Sequence, residues 1–223
     1  MKFIYLGDSI MAADRHEFGY NNVTYNNAEI GKMCVGYPSL IHDALGRENA
    51  KNISVGGHNV FQQYELAVKE DFGGYDGVVI AVGVNDFSLG KKIGDFEKGE
   101  DGEYEESFCG YYCRMLDHIY SSNPKIKVIL MTPLKRDTMH LVNGAYRNDY
   151  FCSVSGNRLS DFSDAIKKIA DRYSCTVADM YSESGLNIYN LPLYTFEGVH
   201  PTNEGYRYII PPLLAAIKRT FNI

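Results

Sequence analysis

The stretch KFIYLGDS, residues 2–9, decides the fold class of this sequence. Phe3–Leu6 is a short run of apolar and aromatic side chains, and Gly7-Asp8-Ser9 then supplies residue types that favour turns. A strand that is apolar on both faces is typical of the buried centre of a parallel sheet. A serine at a sharp turn off such a strand presents its hydroxyl with little steric cover, as a nucleophile requires. The same tripeptide is also ordinary turn chemistry, in which the serine caps a following helix.

Similar short apolar runs recur along the chain, separated by longer segments of helical character. This alternation predicts an α/β fold with a parallel sheet between two layers of helices, in a single domain over residues 1–223. The predicted strands are Lys2–Leu6, Asn52–Val55, Gly77–Val82, Ile126–Thr132 and Thr176–Ala178. The predicted helices cover about Ser39–Gly46, Val60–Glu70, Glu103–Ser122, Leu159–Tyr173 and Asn203–Phe221. In the last helix, Pro211-Pro212 predicts a kink or a division into two.

Composition excludes several classes of function. The 223 residues are 45% hydrophobic, enough for one substantial core, and carry a net charge of −6 without clustered Lys and Arg, so no nucleic-acid partner is expected. No apolar segment has the length of a membrane span or a signal sequence. The five cysteines cannot all pair and match no zinc spacing, which favours free thiols in the cytoplasm and predicts no metal. Nothing in the sequence specifies an oligomeric state.

A nucleophilic serine needs a base, and six histidines are available. His200 is distinctive because Glu197 precedes it by three residues in one Gly-containing turn, where the carboxylate can accept the proton of one ring nitrogen and leave the other facing the serine. A solvated Glu beside an ordinary loop His is the competing interpretation. His16 and His58 fall near the presumed site and stay candidates.

An acyl-transfer site also needs donors for the developing oxyanion. The third predicted strand ends in Gly83-Val84-Asn85-Asp86, which brings Asn85 to the same sheet edge as Ser9. The second strand ends in Gly56-Gly57, where a glycine lets a backbone N–H approach a substrate closely. Both segments are also common turn sequences.

Three long connections, at about 11–35, 87–101 and 133–157, leave the carboxyl ends of strands, where ligands bind in open parallel sheets. The first of them contains aromatic and amide side chains suited to a sugar, although any polar surface loop can carry the same residues: Phe18, Tyr20, Asn21, Asn22, Tyr25 and Asn26. Residues 91–106 form either a flap over the site or a solvated approach to the next helix.

Four short blocks in this chain order resemble the SGNH hydrolases, also called the GDSL esterase/lipase family. Gly7-Asp8-Ser9-Ile10 is similar to the first block, Gly57 to the second, Gly83-Val84-Asn85-Asp86 to the third and Glu197-Gly198-Val199-His200 to the last. The resemblance implies a flavodoxin-like three-layer sandwich with five parallel strands, and an esterase or deacylase that needs no cofactor.

By this likeness Ser9 is the nucleophile and His200 the general base and acid. The oxyanion hole would comprise the backbone N–H groups of Ser9 and Gly57 and the side chain of Asn85, with Gly56 as the alternative glycine. The chain departs from the family pattern at Ile10, where Leu is usual, and at Glu197, where Asp is usual. The first change is nearly isosteric, whereas the second moves the carboxylate by one methylene.

The expected function is hydrolysis of small esters, with a short acyl group and an O-acetylated carbohydrate among the candidate substrates. One alternative is a binding protein for carbohydrates or small ligands that keeps the fold and has impaired turnover, for which Glu197 would be an early sign. Another is a phosphate or flavin cradle after the first strand, which the lack of a Gly-x-Gly-x-x-Gly or Walker pattern disfavours.

Overall fold

The computed structural model describes residues 1–15, 33–46, 51–142, 145–148 and 155–223. Five strands form one sheet in the order β2-β1-β3-β4-β7, and every pairing in it is parallel. A separate antiparallel hairpin, β5–β6, follows β4. The strands are β1 Phe3–Gly7, β2 Lys51–Asn52, β3 Gly77–Ala81, β4 Lys127–Met131, β5 Asp137–Val142, β6 Ala145–Asn148 and β7 Thr176–Ala178. The predicted five-stranded parallel α/β sandwich is confirmed.

Ten α-helices occur in the described part of the chain, and a 3-10 turn at Phe72–Gly74 precedes β3. The helices are α1 Ser9–Ala12, α2 Tyr37–Leu45, α3 Val60–Ala67, α4 Val84–Ser88, α5 Phe108–Ser122, α6 Leu159–Tyr173, α7 Met180–Glu183, α8 Leu191–Tyr194, α9 Asn203–Ile209 and α10 Pro211–Phe221. The predicted division of the last helix is confirmed, since α9 ends before Pro211, which occupies the first turn of α10.

The apolar run of β1 is explained by its two buried faces. Ile4 and Leu6 belong to a core shared with α3, α5 and α6, whereas Phe3 and Tyr5 belong to a second core shared with α2, α9 and α10. Because successive side chains of a strand point to opposite faces, a strand covered on both sides has no polar alternation. The helices therefore cover both faces of the sheet.

Some predicted boundaries are wrong. Residues 53–55 lie beyond the short edge strand β2, although the N–H groups of Ile53 and Val55 still donate to carbonyls of β1 at 3.0 Å. Helix α5 begins at Phe108 instead of position 103, because the Ser107 side chain caps it by accepting from the Gly110 N–H at 3.2 Å. Helix α3 ends at Ala67, three residues before the predicted end.

Two local features were not predicted from the sequence. The hairpin β5–β6 lies inside the connection expected at 133–157, and its first residue, Asp137, donates its N–H to the Gly198 carbonyl at 2.8 Å. Residues 91–93 run beside the start of α5, where the Lys92 and Ile93 carbonyls accept from backbone N–H groups of that helix at 2.9 Å. Across the described ranges, no helix has the length and apolar character needed to cross a bilayer.

Candidate active site

Ser9 lies at the point where β1 passes into α1. The Asp8 side chain caps this short helix by accepting from the Ile10 N–H at 2.9 Å, which turns the chain sharply and leaves the Ser9 side chain half-buried. Gly7 is required before the turn, because a Cβ there would lie 2.6 Å from the Met11 Cβ and 2.9 Å from the Ala81 carbonyl oxygen. The sequence Gly-Asp-Ser therefore supplies a close approach, a cap and an accessible hydroxyl in three consecutive positions.

His200 and Glu197 come from the loop between α8 and α9. The Ser9 Oγ lies 2.8 Å from the His200 Nε2, and the other ring nitrogen, Nδ1, contacts the Glu197 Oε1. A carboxylate can only accept, so the ring carries a proton on Nδ1, and in the neutral ring the Nε2 lone pair faces the serine hydroxyl. The Glu197 Oε2 is buried and has no hydrogen-bond partner among the residues described. These contacts give the serine a base in the tautomer that can take its proton.

The shape of this loop depends on Gly198. Its φ of +82° is in the left-handed region, and a Cβ at this position would lie 1.7 Å from the Asp137 carbonyl oxygen at the start of β5. The Gly198 N–H donates to the Thr195 Oγ1 at 3.1 Å, and a bridge between Thr195 and Pro201 closes the base of the loop. The loop that carries Glu197 and His200 is thus fixed by backbone contacts on two sides.

The predicted oxyanion donors are brought to the same edge of the sheet. A Cβ on Gly56 would lie 3.7 Å from the Ser9 Cβ, so the turn after β2 lies directly against the serine. Gly57 has a φ of +80°, with open space where a side chain would extend. Asn85, in α4, donates from its Nδ2 to the His58 carbonyl at 3.0 Å, and the amide nitrogen keeps a second hydrogen for another acceptor.

Two buried carboxyl groups flank these donors. Asp8 is the cap of α1, and Asp86 accepts the Val60 N–H at the start of α3 with both oxygens, at 3.1 and 3.3 Å. Burial raises the pKa of Asp8 from 3.8 to about 6 and that of Asp86 from 3.8 to about 7. The hydrogen bond from the Ile10 N–H opposes the rise in pKa at Asp8, and the one from the Val60 N–H opposes it at Asp86, whereas the charge of Asp8 adds to the rise at Asp86.

Other candidates of the sequence analysis are not brought to the serine. The His58 ring turns towards Gln63 in α3, with its Nδ1 3.2 Å from the Gln63 Nε2. His16 and the polar residues of the loop at 18–26 lie outside the described residues. Within the described ranges, no group of three or more His, Cys, Asp or Glu side chains is placed to hold a metal ion.

Sequence reasoning missed several side chains that build the site. The Tyr206 hydroxyl donates to the Ile10 carbonyl at 2.7 Å and so connects α9 to the helix of the serine. The Asn203 Oδ1 accepts the Val35 N–H at 2.7 Å, and its Nδ2 donates to the Met33 carbonyl at 3.0 Å. Asp86 is next to a motif residue and could have been considered, but Tyr206, Asn203 and Gln63 have no local sequence signal.

The parallel sheet thus places Ser9 and His200 in contact at its carboxyl edge, an arrangement that acyl-transfer chemistry can use. The sequence profile of the GDSL-like Lipase/Acylhydrolase family matches residues 5–208. The match spans most of the chain, and the protein therefore belongs to this family of hydrolases. No functionally curated protein is significantly similar to the sequence.

Solved structures with related names share the fold. A protein described as a possible lipase from Chitinophaga pinensis is 20% identical, with a TM-score of 0.69 over 99% of this chain and 98% of that one. An acetyl xylan esterase is 21% identical, with a TM-score of 0.63 over 97% of this chain and 100% of that one. A variant of an acetyl-xylooligosaccharide esterase from Geobacillus is 18% identical, with a TM-score of 0.60 over 100% and 94%. At such identities the likeness concerns the fold alone.

Proposed function

We propose that this protein is a serine esterase or deacylase that hydrolyses small esters through an acyl-enzyme on Ser9. The observation that carries the proposal is the hydrogen bond of 2.8 Å between the Ser9 Oγ and the His200 Nε2, with Glu197 on the other ring nitrogen. A serine in ordinary turn chemistry has no need of an oriented base. In this arrangement, each of the three groups has the partner that nucleophilic acyl transfer requires.

The proposed reaction has two steps. The Ser9 oxygen attacks the ester carbonyl carbon while the His200 Nε2 takes the hydroxyl proton, and the same nitrogen then protonates the departing alcohol. A water molecule next attacks the acyl-enzyme, again with His200 as base, and the carboxylic acid leaves as Ser9 regains its proton. Glu197 stabilises the imidazolium that exists during both steps.

The oxyanion of each tetrahedral intermediate is assigned to the N–H groups of Ser9 and Gly57 and to the second N–H of the Asn85 amide. The turn at Gly56 and Gly57 supports this assignment because it lies against the serine and is exposed to an incoming substrate. Donors fixed in this way stabilise charge as it develops and need no reorganisation during the reaction.

For the substrate we propose an ester with a short acyl group, of which an O-acetylated carbohydrate is the first candidate. The names of two structural neighbours, an acetyl xylan esterase and an acetyl-xylooligosaccharide esterase, support this choice. We also propose a cytoplasmic location, which the free thiols of Cys109, Cys113 and Cys175 support.

The test combines turnover with covalent labelling. The wild type should hydrolyse p-nitrophenyl acetate faster than esters of longer chains, release acetate from acetylated xylo-oligosaccharides, and be labelled by a fluorophosphonate at Ser9. A Ser9→Ala variant should lose both activity and label, whereas Ser182→Ala, a change at an exposed serine of α7, should keep both. Full esterase activity in Ser9→Ala would refute the assignment. A wild type that binds acetylated sugar without turnover or labelling would instead indicate the impaired binding protein.

A further inference from the structure

Gln63 connects the two sides of the proposed oxyanion hole. This residue of α3 is completely buried, and its Nε2 donates to the Gly7 carbonyl at 2.7 Å and lies 3.2 Å from the His58 Nδ1. Gly7 ends the strand that leads to Ser9, and His58 directly follows Gly57. One carboxamide thus joins the serine turn to the glycine turn.

The orientation of this carboxamide is determined by its partners. A carbonyl oxygen can only accept, so the atom that faces Gly7 must be the amide nitrogen, and the second hydrogen of that nitrogen points to the His58 ring. The His58 Nδ1 then accepts, which requires a neutral ring with its proton on Nε2. Burial lowers the pKa of His58, which favours the same neutral form.

Hydrogen bonds continue from His58 to the third block. The His58 carbonyl accepts from Asn85, and Asp86 holds the Val60 N–H two residues further along the chain. At Gly57 itself, no atom of the described residues other than its two chain neighbours lies within 4 Å of the position of a Cβ, so no described side chain packs against this point of the turn. Its position relative to Ser9 is set by hydrogen bonds: the backbone bond from the Val55 N–H to the Gly7 carbonyl at 3.0 Å fixes the start of the turn, and the contacts of His58 with Gln63 and Asn85 fix its end.

The stability of the fold alone does not account for a glutamine at this position. The Gln63 Oε1 is buried and lacks a hydrogen-bond partner in the described part of the protein, an arrangement that costs free energy. The Gly7 carbonyl also accepts the Val55 N–H at 3.0 Å, so it would stay satisfied without the glutamine. An apolar side chain of similar volume would therefore fold at least as well.

We infer that Gln63 is a positioning residue, which acts through His58 to hold the backbone N–H of Gly57 at the oxyanion. The inference rests on the proposed function. It predicts that loss of the carboxamide lowers turnover while leaving substrate binding and stability almost unchanged, because the oxyanion exists only after the serine has attacked. A purely structural role predicts the opposite pattern, with lower stability and normal turnover.

The test compares Gln63→Met with Gln62→Met, a matched change at the preceding residue. Gln63→Met should reduce kcat for p-nitrophenyl acetate by about tenfold to a hundredfold, the effect of a small misplacement of catalytic groups, with KM and Tm close to those of the wild type. Gln62 forms the capping box with Asn59, with bonds of 3.0 and 3.1 Å, so Gln62→Met should lower Tm and keep kcat. Equal kcat values in Gln63→Met and the wild type would overturn the inference.

A second variant removes the His58 side of the contact between Gln63 and His58. His58→Phe removes the ring nitrogen and keeps the backbone carbonyl that Asn85 needs, so it should lose kcat as Gln63→Met does, and the double variant should be no slower than the slower single one. If Gln63→Met does not fold, a normal kcat in His58→Phe refutes the inference and a reduced kcat supports it. Fluorophosphonate labelling of Ser9 in the wild type separates failure of this inference from failure of the proposed function. With labelling intact, unchanged kcat values reject only the role of Gln63, whereas an unlabelled wild type rejects the proposed function and this role with it.

Discussion

Replacing Glu197 by Gln tests how the histidine is activated. The change keeps the size of the side chain and removes its charge, so the amide oxygen can still accept from the His200 Nδ1 but no longer stabilises an imidazolium. Because the positive ring exists only while the serine or water proton resides on it, the charge acts mainly on the transition state. Turnover should therefore fall, and KM should change little.

The size of the effect follows from the contact between the two side chains. The His200 side chain is 33% exposed and the Glu197 side chain 18% exposed, so the pair lies near the surface. For charges at such a position the effective dielectric constant is about 20–40. Charge centres about 4 Å apart then interact by about 2–4 kcal/mol. This free energy corresponds to a loss of about 30- to 1,000-fold in kcat.

The assay is steady-state hydrolysis of p-nitrophenyl acetate, with the exposed Glu204→Gln of α9 as a control for loss of one negative charge. A loss of less than about threefold in Glu197→Gln would contradict the role of the carboxylate, because it corresponds to less than about 1 kcal/mol.

The Glu197→Asp variant keeps the negative charge and shortens the side chain by one methylene, so it tests whether the length of the side chain matters. The loop cannot move inward to compensate for the shorter side chain, because Gly198 lies against the Asp137 carbonyl. Glu197→Asp should therefore also lose activity, although Asp is the residue that the family usually has. Activity equal to that of the wild type would mean that the loop adjusts freely.

Two further predictions concern the third block. Asn85→Ala should lower kcat about 100- to 1,000-fold with little change in KM, as expected for loss of an oxyanion donor, and a change confined to KM would contradict that role. At Asp86 the pKa is raised in the folded state to about 7, so the folded protein binds this proton more tightly than the unfolded chain, and stability falls as pH rises from about 4 to about 7. Asp86→Asn removes this dependence and keeps an acceptor for the Val60 N–H. Its stability advantage over the wild type in urea unfolding should grow by about 2–3 kcal/mol between about pH 5 and about pH 8, and parallel pH curves would refute the shift.

The fold could be predicted because its signals are local. Each central strand is a short apolar run, and burial of both its faces removes the polar alternation, so β1, β3 and β4 are recognisable one by one. The bounds of the edge strand and the start of α5 were harder to predict from the sequence. Among the described residues strand β2 pairs with β1 alone, and α5 starts at the Ser107 cap, later than the helical pattern predicts.

The sequence by itself determined which residues are candidates for the site, because Gly7-Asp8-Ser9, Asn85 and Glu197–His200 each have a local pattern and a place at a strand end or in the last loop. Only the tertiary structure decided which atoms meet. Ser9 and His200 are 191 positions apart and in contact, whereas His58 is much closer in sequence and turns its ring to Gln63 instead. The physical reason is that a hydrogen bond depends on distance and direction between side chains from different elements. The packing of the helices against the sheet sets both quantities, and no local pattern encodes them.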